Sequence, residues 1–154
     1  MIQLETSNLA GVRSWDATGF ADETGLMLAT GYRPSNAERF AGYGDLLLMT
    51  LNRGGVRGFH YHKQGTDTAV VLAGSVRVVL YDMREDSATG GRLQEVVLEA
   101  KPSAVTFLQI PPMVAHGFQG LADGSVLVDI PSTEEVATSD FFMAKPGTVP
   151  YEFR

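Results

Sequence analysis

The sequence predicts an all-β fold, a double-sheet jelly-roll barrel. Apolar runs of six to eight residues, rich in Val, Leu and aromatics, recur along the chain. The 17 glycines and 7 prolines punctuate them at short intervals, and helix signals are confined to one stretch. At 154 residues the chain is long enough to bury about two thirds of its unfolded surface. It reads as one domain over residues 1–154, with N-terminal strands and loops in 1–44, a barrel core in 45–130 and a C-terminal segment in 131–154.

Within 1–44 the pattern is irregular. Gly31 to Asn36 reads as loop, and by analogy with barrels of this class the first strands are expected to pair with a neighbouring subunit. Strands follow at 45–52, 56–62, 68–73, 75–82, 92–98, 104–110 and 125–130. Gly74 marks a turn between the third and fourth of these runs. Asp123 and Gly124 both accept positive φ, which predicts a tight hairpin joining a strand near Phe118 to Val126–Ile130. The one helix candidate is Ser132–Ala137, a cap and single turn after Pro131.

Composition narrows the function. With no cysteine the chain can form neither a disulfide framework nor a thiolate metal site, which fits a reducing compartment. Met1–Glu5 has neither the basic nor the apolar character of a targeting segment, and no apolar run reaches membrane-spanning length. The expectation is a soluble, cytoplasmic protein without a membrane partner. A net charge of −6, with the 12 basic residues scattered, argues against nucleic acid as a partner. A small anion can still bind where arginines converge in a cleft, and Arg57 and Arg84 are the candidates.

All 3 histidines fall in two short segments, Gly58–His62 and Pro111–Phe118. Alternate side chains of a strand share a face, so His60 and His62 point one way and Phe59 and Tyr61 the other. The two imidazoles stand roughly 6 to 7 Å apart along the strand, a placement suited to holding a metal or moving a proton.

The motifs carry a resemblance over about positions 45–130. His60-x-His62 followed by Asp67 and Gly74, with Pro112 and His116 later, resembles the paired motifs of the cupins, whose fold is a double-stranded β-helix. Arg57–His60, Asp82–Gly91 and Ile110–Phe118 resemble the dTDP-4-dehydrorhamnose 3,5-epimerase family. His60–Lys63 is similar to a stretch of the related dTDP-sugar 3,4-ketoisomerases. The resemblance implies chemistry without cofactor or metal on a nucleotide-linked 4-keto-6-deoxyhexose. Removing a proton beside a ketone needs a base within hydrogen-bond reach and a donor for the developing enolate. By the resemblance His60 is the base, His62 the second proton carrier or enolate partner, and His116 a donor to the keto oxygen. Arg57 and Arg84 hold pyrophosphate and sugar, and Asp67 faces the substrate.

There are departures. Asp67 stands where the epimerases carry a lysine, and the tyrosine expected as general acid falls near Val128–Asp129. No counterpart of their C-terminal aspartate is expected before Arg154. Three readings stay open. The catalyst is rebuilt around His60, His62 and His116 for an epimerisation or ketone shift. Alternatively, His60, His62, Asp67 and His116 bind one divalent Fe, Mn, Zn or Ni ion in a metal-dependent cupin enzyme. In the third, the pocket binds a sugar without chemistry. A homodimer is the default assembly.

Overall fold

The computed structural model describes residues 4–6, 8–134 and 139–154. Among them are thirteen strands and no helix: β1 (Leu4–Thr6), β2 (Arg13–Thr18), β3 (Phe20–Asp22), β4 (Gly25–Met27), β5 (Leu47–Leu51), β6 (Val56–Tyr61), β7 (Asp67–Ala73), β8 (Ser75–Asp82), β9 (Leu93–Glu99), β10 (Ala104–Ile110), β11 (Val114–Gly120), β12 (Ser125–Asp129) and β13 (Phe142–Met143). Two antiparallel sheets face one another, ordered β1-β2-β10-β7-β12-β5 and β13-β6-β11-β8-β9, and β3-β4 forms a separate hairpin. This is the double-sheet jelly roll expected from the strand pattern.

The period-two pattern decides what lies between the sheets. Val71 of β7, Val76, Val78 and Leu80 of β8, Leu108 of β10, Phe118 of β11 and Leu127 of β12 point inward and form the main core. Their neighbours Val70, Phe107 and Val128 point out of the first sheet and pack with Trp15 under Leu28 and Tyr32. That second layer explains why Asp67–Val71 is buried on both faces, and why β7 reads as a continuous apolar run.

One expectation about connections is overturned. The turn at Asp123–Gly124 does not close a hairpin: β11 pairs with β6 and β8, whereas β12 pairs with β5 and β7 in the facing sheet. Gly124 takes the positive φ of 67°, but the turn is a corner between sheets, and the Asp123 carboxylate accepts the Arg53 N–H at 2.9 Å. Gly74, at φ 73°, makes the same kind of corner between β7 and β8. A Cβ there would lie 2.4 Å from Ser125 Oγ. The N-terminal strands pair within the chain, β1 with β2 and β2 with β10. Of the expected helix at Ser132–Ala137, residues 132–134 are non-helical and the rest lie outside the described residues.

Candidate active site

β6 and β11 are antiparallel neighbours, and His60 stands directly opposite His116. Residues opposite each other share a face, so both rings enter the barrel, with centroids 4.2 Å apart. His62, at the end of β6, completes the group at 5.5 Å from His60 and 5.9 Å from His116. Asp67 comes from β7 in the facing sheet, and its Oδ2 lies 2.8 Å from His116 Nε2 and 3.1 Å from His62 Nε2. These are close charge contacts without aligned hydrogen-bond geometry. The other ring nitrogens are engaged too. His116 Nδ1 meets the Val114 carbonyl at 3.0 Å, and His62 Nδ1 meets the backbone carbonyl of Asp140.

Burial alone would raise the Asp67 carboxyl, but the facing His116 and His62 nitrogens overrule it and hold the group below the usual carboxylate range. The donor atoms of His60, His62, Asp67 and His116 all lie within 4.8 Å of one another, so the cluster could hold a divalent ion.

His60 has a different setting. It lines a cavity of about 380 Å³ together with Arg57, Phe118, Asp129 and Phe141, while His62, His116 and Asp67 are not among the lining residues. Phe141 stacks on its ring at 4.8 Å. Desolvation, reinforced by the charge of His116, pushes His60 down to about 3. At neutral pH it is an uncharged imidazole facing the cavity.

Strict alternation from His60 would send Arg57 to the outer face with Phe59. A bulge prevents this: His60 pairs with His116 but Arg57 pairs with Phe118, so two residues of β6 oppose one of β11. The extra residue swings Arg57 to the inner face, at the cavity mouth, where its side chain is exposed. Gly117 lies at the bulge, where a Cβ would sit 3.0 Å from Phe153.

Arg84 corrects the expectation that it faces the same ligand. Its Nε and Nη2 grip Asp82 at 2.7 and 2.8 Å, and Nη2 also donates to the Ala10 carbonyl. Ser87 and Thr89 donate to the same carboxylate at 2.7 and 2.6 Å. Arg84 thus secures the turn after β8 and lines a separate surface hollow with Glu85 and Asp86. Asp67 is likewise no cavity residue: at 0% exposure it is shut behind the imidazoles.

The sequence marks neither Asp140 nor Phe141 as a site residue. Asp140 accepts backbone N–H groups from Lys63, Gln64 and Gly65 at 2.8, 3.1 and 2.7 Å, tying the C-terminal segment to the turn that follows β6 and His62. No local pattern marks either residue, because both act across a separation of more than 70 positions. Phe59 and Tyr61 do face away from the histidines, and there they stack on Phe153 and Phe142 of the same chain.

A family model described as dTDP-4-dehydrorhamnose 3,5-epimerase matches residues 6–137. The chain belongs to that family. A spore coat polysaccharide biosynthesis protein, SpsL, of Bacillus subtilis is 39% identical over 71 residues, 46% of this chain and 45% of that protein. A probable low-salt glycan biosynthesis epimerase of Haloferax volcanii is 37% identical over 81 residues, 51% of each chain. The matches thus span about half the length of these curated relatives. The crystal structure of a dTDP sugar isomerase from Desulfovibrio desulfuricans superposes with a TM-score of 0.81 over 99% of this chain and 95% of that one, at 24% identity, which shows the shared fold. Epimerases of the dTDP-4-dehydrorhamnose 3,5-epimerase family need no cofactor.

Proposed function

We propose that the protein is a nucleotide-sugar epimerase or isomerase that removes a proton from the carbon beside the ketone of a dTDP-4-keto-6-deoxyhexose. Family membership supports the reaction class. The observation that carries the assignment to residues is the environment of His60: it is the imidazole that lines the cavity, and burial holds it unprotonated. A neutral imidazole can take a proton. Burial keeps its basicity low, but a nucleotide diphosphate and a growing enolate bring negative charge, which favours the protonated ring and moves its pKa back toward neutrality. The ring is held between His116 at 4.2 Å and Phe141 at 4.8 Å, so its direction is set before substrate arrives.

Arg57 at the mouth supplies the planar fork that suits phosphate oxygens. His62, Asp67 and His116 form the buried layer behind the base and fix its surroundings. In this reading their roles are to position His60 and stabilise charge.

The proposal includes a homodimer in the cytoplasm. Leu48 at 71%, Leu72 at 53%, Phe20 at 65% and Met27 at 74% exposure leave apolar surface open, as a self-associating protein would. The lack of cysteine suits a reducing compartment. No helix among the described residues is long and apolar enough to cross a membrane.

Incubation with dTDP-4-keto-6-deoxyglucose in deuterated water tests the reaction. Deuterium is expected at C3 or C5, and His60→Ala is expected to abolish it. Absence of label from the wild type with every 4-keto nucleotide sugar tried would remove the reading.

A further inference from the structure

We infer that Phe141 is a specificity-determining residue of the cavity: with Phe118 it turns the methyl-bearing side of the sugar toward His60, so that C5, and not C3, is the carbon that loses its proton first. The inference rests on the proposed reaction and adds to it the position of attack.

A 4-keto-6-deoxyhexose has two carbons beside the ketone, C3 and C5. Each is two bonds from the anomeric carbon that carries the diphosphate, so an anchor at the mouth such as Arg57 cannot choose between them. They differ in what they bear. C3 carries a hydroxyl, which needs a hydrogen-bonding partner once it leaves water, whereas C5 carries the C6 methyl.

The wall around the base makes the choice. Phe141 stacks on the His60 ring at 4.8 Å and Phe118 stands 6.1 Å from it, and both rings line the cavity. Leu47, Met49, Val56 and Met143 continue the apolar lining. The neighbouring imidazoles are committed elsewhere: His62 and His116 turn their nitrogens to Asp67 and to backbone carbonyls. Besides His60, the charged side chains of the lining are Arg57 at the mouth and Asp129, which comes from β12 in the facing sheet. Those groups suit the hydroxyl-bearing side of the sugar. The surface next to the base suits a methyl.

Phe141 is fixed in that place from both sides. Before it, the Asp140 carboxylate accepts the N–H groups of Lys63 and Gly65; after it, Phe142 and Met143 pair with Tyr61 and His60 of β6. Ser139 takes a φ of 53°, a left-handed conformation that a side-chain-bearing residue keeps only where its surroundings impose it. Alternation sends Phe142 against Tyr61 on the outer face and leaves Phe141 and Met143 on the cavity. At 44% exposure Phe141 is a rim residue that substrate can reach, and the wall stands before substrate arrives.

In the step so assigned, His60 takes the proton of C5, the C5–H electron pair becomes the C4–C5 double bond, and the carbonyl π pair moves to oxygen. The proton on His60 exchanges with solvent, and its return to C5 restores the ketone. In deuterated water that return leaves a deuteron on C5.

The test follows the initial rates of deuterium entry at C3 and C5 of dTDP-4-keto-6-deoxyglucose by NMR, with the full chain. C5 is expected to label about 10-fold or more faster than C3. The counterpart substrate with a hydroxyl on C6 should label at C5 about 10-fold or more slowly than the 6-deoxy sugar. Phe141→Asn, which gives the wall hydrogen-bonding groups, should narrow both ratios, and Phe141→Leu, which keeps it apolar, should preserve them. Label entering C3 first in the wild type, or ratios in a folded Phe141→Asn protein equal to those of the wild type, would overturn the inference and leave the reaction standing. Absence of label at both carbons removes the reaction itself, a result distinct from exchange at the wrong carbon.

Discussion

The Oδ2 atom of Asp67 lies 2.8 Å from Nε2 of His116, with both side chains at 1% exposure or less. The same oxygen is 3.1 Å from His62 Nε2, so one carboxylate from one sheet serves two imidazoles from the other. Such a contact acts as a strut across the barrel. Removing one partner leaves the remaining buried polar groups unsatisfied and costs about 1 to 3 kcal/mol. Asp67→Asn is therefore expected to lower the unfolding free energy by that amount in denaturant titration. A loss below about 1 kcal/mol, the range of exposed pairs, would show that the strut does not bear on stability.

His60 makes stability depend on pH in a defined window. Burial, aided by the charge of His116, pushes its pKa down to about 3 in the folded state, against about 6.5 when unfolded. Between these values the unfolded chain binds a proton that the native protein refuses. Stability therefore falls as pH drops from about 6.5, with a slope of up to about 1.4 kcal/mol per pH unit from this group. The depressed carboxyls of Asp67, Asp82 and Asp140 lose their contribution lower down, as pH passes below the ordinary carboxylate range of about 4. Comparing wild type with His60→Gln between pH 4.5 and about 6.5 isolates the imidazole: the variant should show the shallower dependence. Parallel curves would mean that His60 is solvated.

The two arginines separate binding from scaffolding. Arg57, at the cavity mouth, should matter for substrate: Arg57→Gln is expected to raise KM about 10-fold, in line with the loss of one charge-assisted bond, with little change in melting temperature. Arg84 is gripped by the fully buried Asp82 carboxylate. Arg84→Gln should lower stability by about 1 to 3 kcal/mol and leave KM unchanged. Reversed effects would move the phosphate site to the hollow beside Arg84.

Much of this was legible in the residues, and what was not has physical causes. Alternation placed His60 with His62 and opposite to Phe59, because a side-chain period of two needs only local geometry. Charge alone marked Arg57 as an anion candidate, but its place in the cavity was not legible, because its inward turn depends on a bulge set by the partner strand. Asp123–Gly124 had the right turn chemistry but the wrong consequence: turn residues fix a backbone conformation, not which sheet the next strand joins. Arg84 looked available in a polar segment, yet Asp82, two residues away, claims it. Asp140 reaches the Lys63–Gly65 backbone from far along the chain, a contact that no window of sequence contains.

The cluster of three histidines and Asp67 allows one last discrimination. Its donor atoms are close enough together for a divalent ion, yet the family's enzymes need no cofactor, and the charge contacts of Asp67 with His116 and His62 already engage three of those atoms. A ligand bound only by the native state stabilises it by RT ln(1 + [L]/Kd), so a resident metal at 100 times its Kd would add about 2.7 kcal/mol, which a chelator would strip away. We expect elemental analysis of purified protein to show Fe, Mn, Zn and Ni well below one per chain, and dialysis against EDTA to leave both the melting temperature and the deuterium exchange unchanged. One metal per chain, with a drop in melting temperature on chelation, would instead make Asp67 a ligand, and the enolate would then be stabilised by a cation in place of the protein's own donors.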